Sequence, residues 1–172
     1  MGLHSVSRKK IIHATENSRE NKPDGSHRQR LRLRKRTMYF GTWNVKGIRL
    51  KWQNIMKEMG MDCIVLTETK RKGSGMEENE GYIHLYSGVP KENRAKRGVS
   101  ILIKKNFKKN ITNFEAIDER IIKINIDMFG KRMVIIGIYA PNDDERIEEK
   151  ENFYEKIQEV TDNIVNFITW RL

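Results

Sequence analysis

The sequence has one cysteine, three prolines and no long apolar run. Because Cys63 stands alone, an internal disulfide is excluded, and the chain is consistent with a reducing compartment. Neither a Cys-x-x-Cys nor a His-Glu-x-x-His spacing occurs, which argues against a structural zinc site. Apolar stretches are too short for a membrane span, and the start lacks the apolar core of a signal peptide. We therefore expect a protein that has no membrane contact, is not secreted, and is nuclear or cytoplasmic.

Positive charge is abundant. The 172 residues carry a formal net charge of +11, and residues 28–36 hold a dense run of arginines. Residues 1–37 show no sustained apolar period, so composition predicts a disordered basic leader followed by one domain over residues 38–172. A polyanion such as nucleic acid is the natural partner of the leader, although basic runs also occur as plain solvated tails and as nuclear-import patches.

Two predicted strands end in polar residues that suit a binding site. Alternation from Met38 predicts a strand that ends at Asn44, and the apolar run before Glu68 predicts a second strand buried on both faces. A helical apolar pattern over residues 51–59 lies between them, so we expect a βαβ unit with parallel strands. Asn44 and Glu68 would then emerge at the same sheet edge, where an amide and a carboxylate offer oxygen ligands for Mg²⁺ or Mn²⁺. Taken singly, each is also an ordinary turn or loop residue.

The rest of the chain alternates between strands and loops. Residues 70–81 are predicted as an exposed loop, and later alternating segments predict strands that close with Tyr139, a proline and Asn142. A helix follows, with its N-cap predicted at Asp143 or Asp144. His84 lies inside a predicted strand, where a structural role is favoured over that of a general base.

Five segments in this order resemble the amino-terminal half of the endonuclease/exonuclease/phosphatase superfamily. The closest resemblance is to AP endonuclease-like and LINE-type retrotransposon endonuclease domains and to the craniofacial development protein 2-like sequences derived from them. It extends over roughly residues 38–154 and rests on TWNVKGI, LTET, RGVSILI, DERIIKINI and VIIGIYAPND.

The resemblance implies a fold and a set of site residues. It implies an α+β chain, a partial four-layer α/β sandwich of the DNase-like type, with one mixed sheet, flanking helices and a second sheet largely missing. It assigns Asn44 and Tyr139 to the catalytic site, Glu68 to the metal, and Asn142 and Arg120 to nucleic-acid binding. The implied chemistry is Mg²⁺- or Mn²⁺-assisted hydrolysis of a phosphodiester in nucleic acid, with DNA the expected substrate.

Two departures from the family pattern limit this interpretation. The GDFN and SDH segments, which the resemblance associates with water activation and leaving-group stabilisation, do not occur in the sequence, and Lys46 stands where some relatives have an acid. We therefore expect a truncated, retrotransposon-derived chain that is inactive as it stands, with one apolar sheet face left bare. The alternative is a basic nucleic-acid-binding module without catalysis.

Overall fold

A computed structural model describes residues 7–17, 33–47, 60–79, 81–128 and 130–169, with side chains described between residues 38 and 164 of those ranges. The predicted helix over residues 51–59 lies outside the described residues. Nine strands and two helices are assigned within them: β1 Ser7–Asn17, β2 Leu33–Asn44, β3 Cys63–Thr67, β4 Ser74–Asn79, β5 Tyr82–Ser87, β6 Val99–Lys104, a 3₁₀ helix Lys105–Asn110, β7 Ile111–Asp118, β8 Ile121–Met128, β9 Lys131–Ile138, and α1 Ile147–Thr169.

The strands form two sheets. The first has the order β1-β2-β3-β6-β5-β4, with β2 and β3 parallel and all other neighbours antiparallel. The second is an antiparallel sheet in the order β7-β8-β9. The α+β class, the mixed sheet and the parallel arrangement of the first two predicted strands are therefore confirmed.

The main core lies between the two sheets. Its buried side chains from the first sheet pack against the isoleucines of β8, and the set comprises Met38, Cys63, Ile83, Leu85, Val99, Ile101, Ile103, Ile122, Ile124, Ile126 and Met128. The second sheet thus covers an apolar face of the first, so the prediction of a bare face is wrong there. Three strands are enough because each supplies alternate apolar residues to one side.

A second cluster explains why β3 reads as a continuous apolar run. Ile64 and Leu66 point to the opposite face of the first sheet, where they pack with Met61 and Leu102. Both faces of β3 are therefore buried, as expected of a central strand.

Two segments are strands where the sequence predicts none. β4 lies inside the predicted loop 70–81 and forms a hairpin with β5 through Gly81, whose φ is +80°. β1 lies in the leader and pairs with β2, although composition predicts disorder there. At both sheet edges the pairing uses main-chain groups, which require no apolar side chains and so leave no apolar pattern to detect. The division of the chain into a leader and a domain stays a prediction.

The helix α1 begins later than its acidic residues predict. The carbonyl of Arg146 accepts the N–H of Lys150 at 3.2 Å, so Arg146 rather than Asp143 or Asp144 is the first helical acceptor. Phe153 and Val160, two turns apart, are its buried apolar residues. No helix among the described residues combines the length and apolarity that a membrane crossing requires.

Candidate functional site

Asn44 and Glu68 meet at one edge of the first sheet. Asn44 is the last residue of β2 and is paired with Thr67 at the end of parallel strand β3, so Glu68 follows immediately beside it. The Asn44 Nδ2 atom donates a hydrogen bond to Glu68 Oε1 at 2.6 Å. Parallel strands thus bring together two side chains that are 24 positions apart in sequence.

The backbone around this pair adopts an uncommon conformation. Lys46, Glu68 and Lys70 all have positive φ angles, of 47°, 54° and 54°, and they are the non-glycine residues with positive φ in the part of the chain that the structure describes. Such residues cost roughly 1–3 kcal/mol each and concentrate at functional sites. Hydrogen bonds hold the loops in place, including Gly47 N to Glu68 O at 2.7 Å and Thr69 N to Gly98 O at 3.1 Å.

The side chain of Asn44 is fixed from both ends. Its Oδ1 atom accepts the N–H of Lys46 at 3.2 Å, while its Nδ2 faces Glu68. Because an amide nitrogen carries two hydrogens and one is used by Glu68, the second is available to an acceptor at this edge.

Tyr139 follows β9 and lies at the same edge. Its N–H donates to the Arg120 carbonyl at 2.8 Å, and Arg120 Nη1 donates to the Tyr139 carbonyl at 3.2 Å. Burial and the Glu68 carboxylate raise the pKa of Tyr139, although Arg120 acts in the opposite direction. The phenol therefore keeps its proton at neutral pH and can donate a hydrogen bond.

Arg120 has a structural environment. Its side chain is buried, its guanidinium carbon lies 5.2 Å from the centre of the Tyr139 ring, and its Nη2 donates to Glu145 Oε1 at 2.6 Å. The same Glu145 oxygen accepts the N–H of Asn142 at 3.3 Å. Arg120 thus connects the Tyr139 main chain to the Asn142 loop, and its predicted contact with nucleic acid stays a prediction.

Glu145 belongs to a larger ion-pair cluster that the sequence analysis missed. Arg97 binds three carboxylates, with nitrogen–oxygen distances of 3.0 Å to Glu119, 3.1 Å to Glu145 and 2.7 Å to Glu149. Burial alone would raise the pKa of Glu145, but its hydrogen bonds, chiefly from Arg120, lower that pKa to about 2. The available sequence signal was the Asn-x-x-Glu spacing of Asn142 and Glu145, which is typical of reciprocal capping.

The donor set decides which metal the edge can hold. Glu68 is the carboxylate there, Asn44 turns its N–H rather than its oxygen toward it, and no cluster of three His, Cys, Asp or Glu occurs among the described residues. Mg²⁺ commonly takes one or two carboxylates and completes its shell with water and substrate phosphate. The residues therefore fit a hydrated Mg²⁺ or Mn²⁺ that also binds a phosphate, and do not fit a cage built from protein ligands alone.

Comparisons with solved structures agree on the fold. The chain is similar to the 3′ phosphatase NExo from Neisseria bound to a product DNA hairpin, with 20% identity and a TM-score of 0.54 over 74% of this chain and 53% of that one. It is also similar to the 3′-5′ exonuclease NExo from Neisseria meningitidis, with 20% identity and a TM-score of 0.52 over 73% and 52% of the two chains.

The fold is that of the endonuclease/exonuclease/phosphatase superfamily. The resemblance expected from the five sequence segments is thus confirmed for the fold, as is the partial DNase-like sandwich. This chain spans about half the length of the two solved structures. No protein-family model and no curated protein matches it.

Proposed function

We propose that this chain carries part of a phosphodiesterase site that acts on nucleic acid, with DNA as the expected substrate. The observation that carries the proposal is the hydrogen bond of 2.6 Å between Asn44 and Glu68 at the ends of two parallel strands. Chemically, this edge offers one carboxylate and several hydrogen-bond donors, which is a suitable set for a phosphate with its counterion.

Each side chain has a defined task in this proposal. Asn44 donates its second amide hydrogen to a phosphate oxygen, and Tyr139 donates its phenolic hydrogen to another. Asn142 contacts the backbone of the nucleic acid from the loop that follows Tyr139. Glu68 holds Mg²⁺ or Mn²⁺, which when bound neutralises charge that develops on the phosphate.

Nucleic acid is favoured over small phosphate esters by charge. The chain has a formal net charge of +11, which attracts a polyanion over long range. The similar 3′ phosphatase NExo is bound to a product DNA hairpin in its solved structure.

We further propose that these 172 residues alone do not hydrolyse the bond. The groups that would orient the water and protonate the leaving group belong, by the family resemblance, to GDFN and SDH segments that this sequence does not contain. Descent from a retrotransposon endonuclease belongs to the same proposal.

Nicking of supercoiled plasmid, combined with a DNA-binding assay, tests the proposal. In Mg²⁺ we expect binding without nicking, and we expect Glu68→Gln to remove the part of the binding that depends on Mg²⁺. Nicking that disappears in Glu68→Gln would show that the chain is active and contradict the proposed inactivity. An absence of binding at low salt would contradict the phosphodiesterase proposal itself.

The second candidate is a basic module that binds nucleic acid without any metal or catalysis, driven by counterion release. The dense basic run in residues 28–36 favours it. It predicts that Glu68→Gln binds DNA as well as the original chain does in Mg²⁺, while added salt weakens both equally.

A further inference from the structure

The sheet edge that holds Asn44 and Glu68 carries an excess of positive charge. Three loops meet there, residues 45–47, 68–73 and 90–98, which we call the edge loops. Main-chain hydrogen bonds join them, from Gly47 N to Glu68 O and from Thr69 N to Gly98 O. The edge loops contain eight basic residues and two acidic ones, so the single carboxylate of the proposed metal site stands among cations.

Some of these cations are neutralised within the protein. Arg71 forms an ion pair with Glu77, and Arg97 binds the three glutamates of the ion-pair cluster. Lys72 donates to the Lys91 carbonyl at 2.9 Å. These side chains have protein partners and are less available to a ligand.

Lys46 and Lys70 differ from them. Both are exposed, both have positive φ angles, and neither forms an ion pair with another described residue. They flank the site in sequence, since Lys46 lies two residues after Asn44 and Lys70 two residues after Glu68. They also lie close in space, because Lys70 Cδ is 3.8 Å from the position that a Cβ atom on Gly47 would occupy.

The backbone conformation of the two lysines is a separate observation. A positive φ is strained for lysine and is relaxed for glycine or asparagine, so stability alone does not favour lysine at either position. Strain of this kind clusters where a ligand is held. A lysine ammonium is a common phosphate ligand that acts as a point charge.

We propose that Lys46 and Lys70 make this edge an anion site, which binds a backbone phosphate of nucleic acid without a divalent ion. The inference rests on the proposed function, because the same edge must face the phosphate. Two ammonium groups supply the positive charge that one carboxylate and a divalent ion would otherwise provide.

The test is binding of a short DNA duplex, followed by fluorescence anisotropy in EDTA and in Mg²⁺. The variant is the double substitution Lys46→Asn and Lys70→Asn, because asparagine tolerates a positive φ and should preserve the loops. The control is Lys109→Asn with Lys131→Asn, which removes the same charge from the opposite edge, where β6 ends and β9 begins. A circular dichroism spectrum confirms that both variants are folded.

We expect the original chain to bind in EDTA. We expect the Lys46 and Lys70 variant to bind roughly tenfold more weakly there and to lower the salt slope by about two, as the loss of two phosphate contacts requires. The control variant should retain most of the affinity.

Other results overturn the inference and separate it from the proposed function. If binding disappears in EDTA and returns in Mg²⁺ only when Glu68 is present, the anion site is wrong and the metal-dependent proposal stands. The anion site is also wrong if both double variants lose affinity equally, and Glu68→Gln in Mg²⁺ then decides the proposed function by itself.

Discussion

At the scale of single residues, Arg120 connects the fold to the candidate site. It is buried, pairs with Glu145 and bonds to the main chain of Tyr139. Removing one member of a buried ion pair leaves the other charge uncompensated, at a cost of about 3–5 kcal/mol. We therefore expect Arg120→Met to lower the free energy of unfolding by about 3 kcal/mol, measured by chemical denaturation.

The same substitution has an effect that lost stability alone does not produce. Because the positive charge of Arg120 lowers the pKa of Tyr139, its removal should raise that pKa further, as followed by carbon NMR of labelled tyrosine. Lys156→Met is the control, since the exposed Lys156 pairs with Asp118 at the surface and should cost less than about 1 kcal/mol. An unchanged Tyr139 pKa in folded Arg120→Met would show that Arg120 does not act on the phenol.

Cys63 provides a probe of the core between the sheets. Burial, with a smaller contribution from Asp62, raises the pKa of this thiol to about 12. Only the thiolate reacts readily, so we expect no reaction of native protein with Ellman's reagent at neutral pH and full reaction in denaturant. Rapid labelling of native protein would mean that the sheets separate easily.

His84 predicts a dependence of stability on pH. Burial, assisted by the charge of Arg71, lowers its pKa from 6.5 to about 4. Below pH 6.5 the unfolded chain binds a proton that the folded chain does not, so stability is lost as pH falls from 6.5 toward 4. The loss approaches roughly 1.4 kcal/mol per pH unit.

Thermal or urea unfolding across that pH range measures the effect, and His84→Leu is the matched variant. In the variant the slope between pH 6.5 and 4 should become smaller by about one proton. An equal slope in both proteins would mean that the imidazole is already protonated in the folded state. Glu145, with a pKa of about 2, contributes its own loss only below about pH 4.5.

At the scale of elements, β9 approaches the first sheet closely at Gly137. A Cβ atom there would lie 2.7 Å from Ile122 Cγ2 and 3.1 Å from Val65 Cγ1, closer than carbon atoms pack. We expect Gly137→Ala to destabilise the protein by about 1–3 kcal/mol, since β9 must move away from the first sheet.

Gly41→Ala is the control for that prediction. Its Cβ would meet the flexible end of Met61 at 3.3 Å, which can move at little cost. Both variants are compared by urea denaturation. An equal effect at the two positions would show that the approach of β9 to the first sheet is looser than the structure has it.

The elements also show how far the sequence could predict this fold. Strands with an apolar period, such as β3, β6 and β8, were predictable because burial on the sandwich imposes that period. Edge strand β4 was not predictable, because its residues are at most half buried and are mainly glutamate, glycine and serine. At an edge the structure depends on main-chain pairing, which leaves little trace in composition.

The candidate site divides in the same way. The meeting of Asn44 and Glu68 follows from two strands and a crossover, so local patterns were sufficient to predict it. The ion pair of Arg120 and Glu145 joins residues 25 positions apart, on β8's approach and before α1, and no local pattern relates them. Only the packing of the second sheet on the first defines that pair.

At the scale of the whole molecule, two sheets enclose a core and place the polar residues of several strand ends at one edge. The Ser87 hydroxyl donates to the Asp118 carbonyl there, which joins the sheets beside the site. Since the chain spans about half the length of the solved structures that it matches, its complete activity is a proposal, whereas the edge geometry is a property of these residues.

The central claim is that this edge engages a phosphate together with a divalent ion. Broadening of NMR signals by Mn²⁺, in the presence of a short DNA duplex, tests it most directly because the effect marks residues near the metal. The account predicts that signals of Asn44, Glu68 and Tyr139 broaden first and that Glu68→Gln abolishes this pattern. Broadening centred elsewhere, or unchanged in Glu68→Gln, would contradict the account.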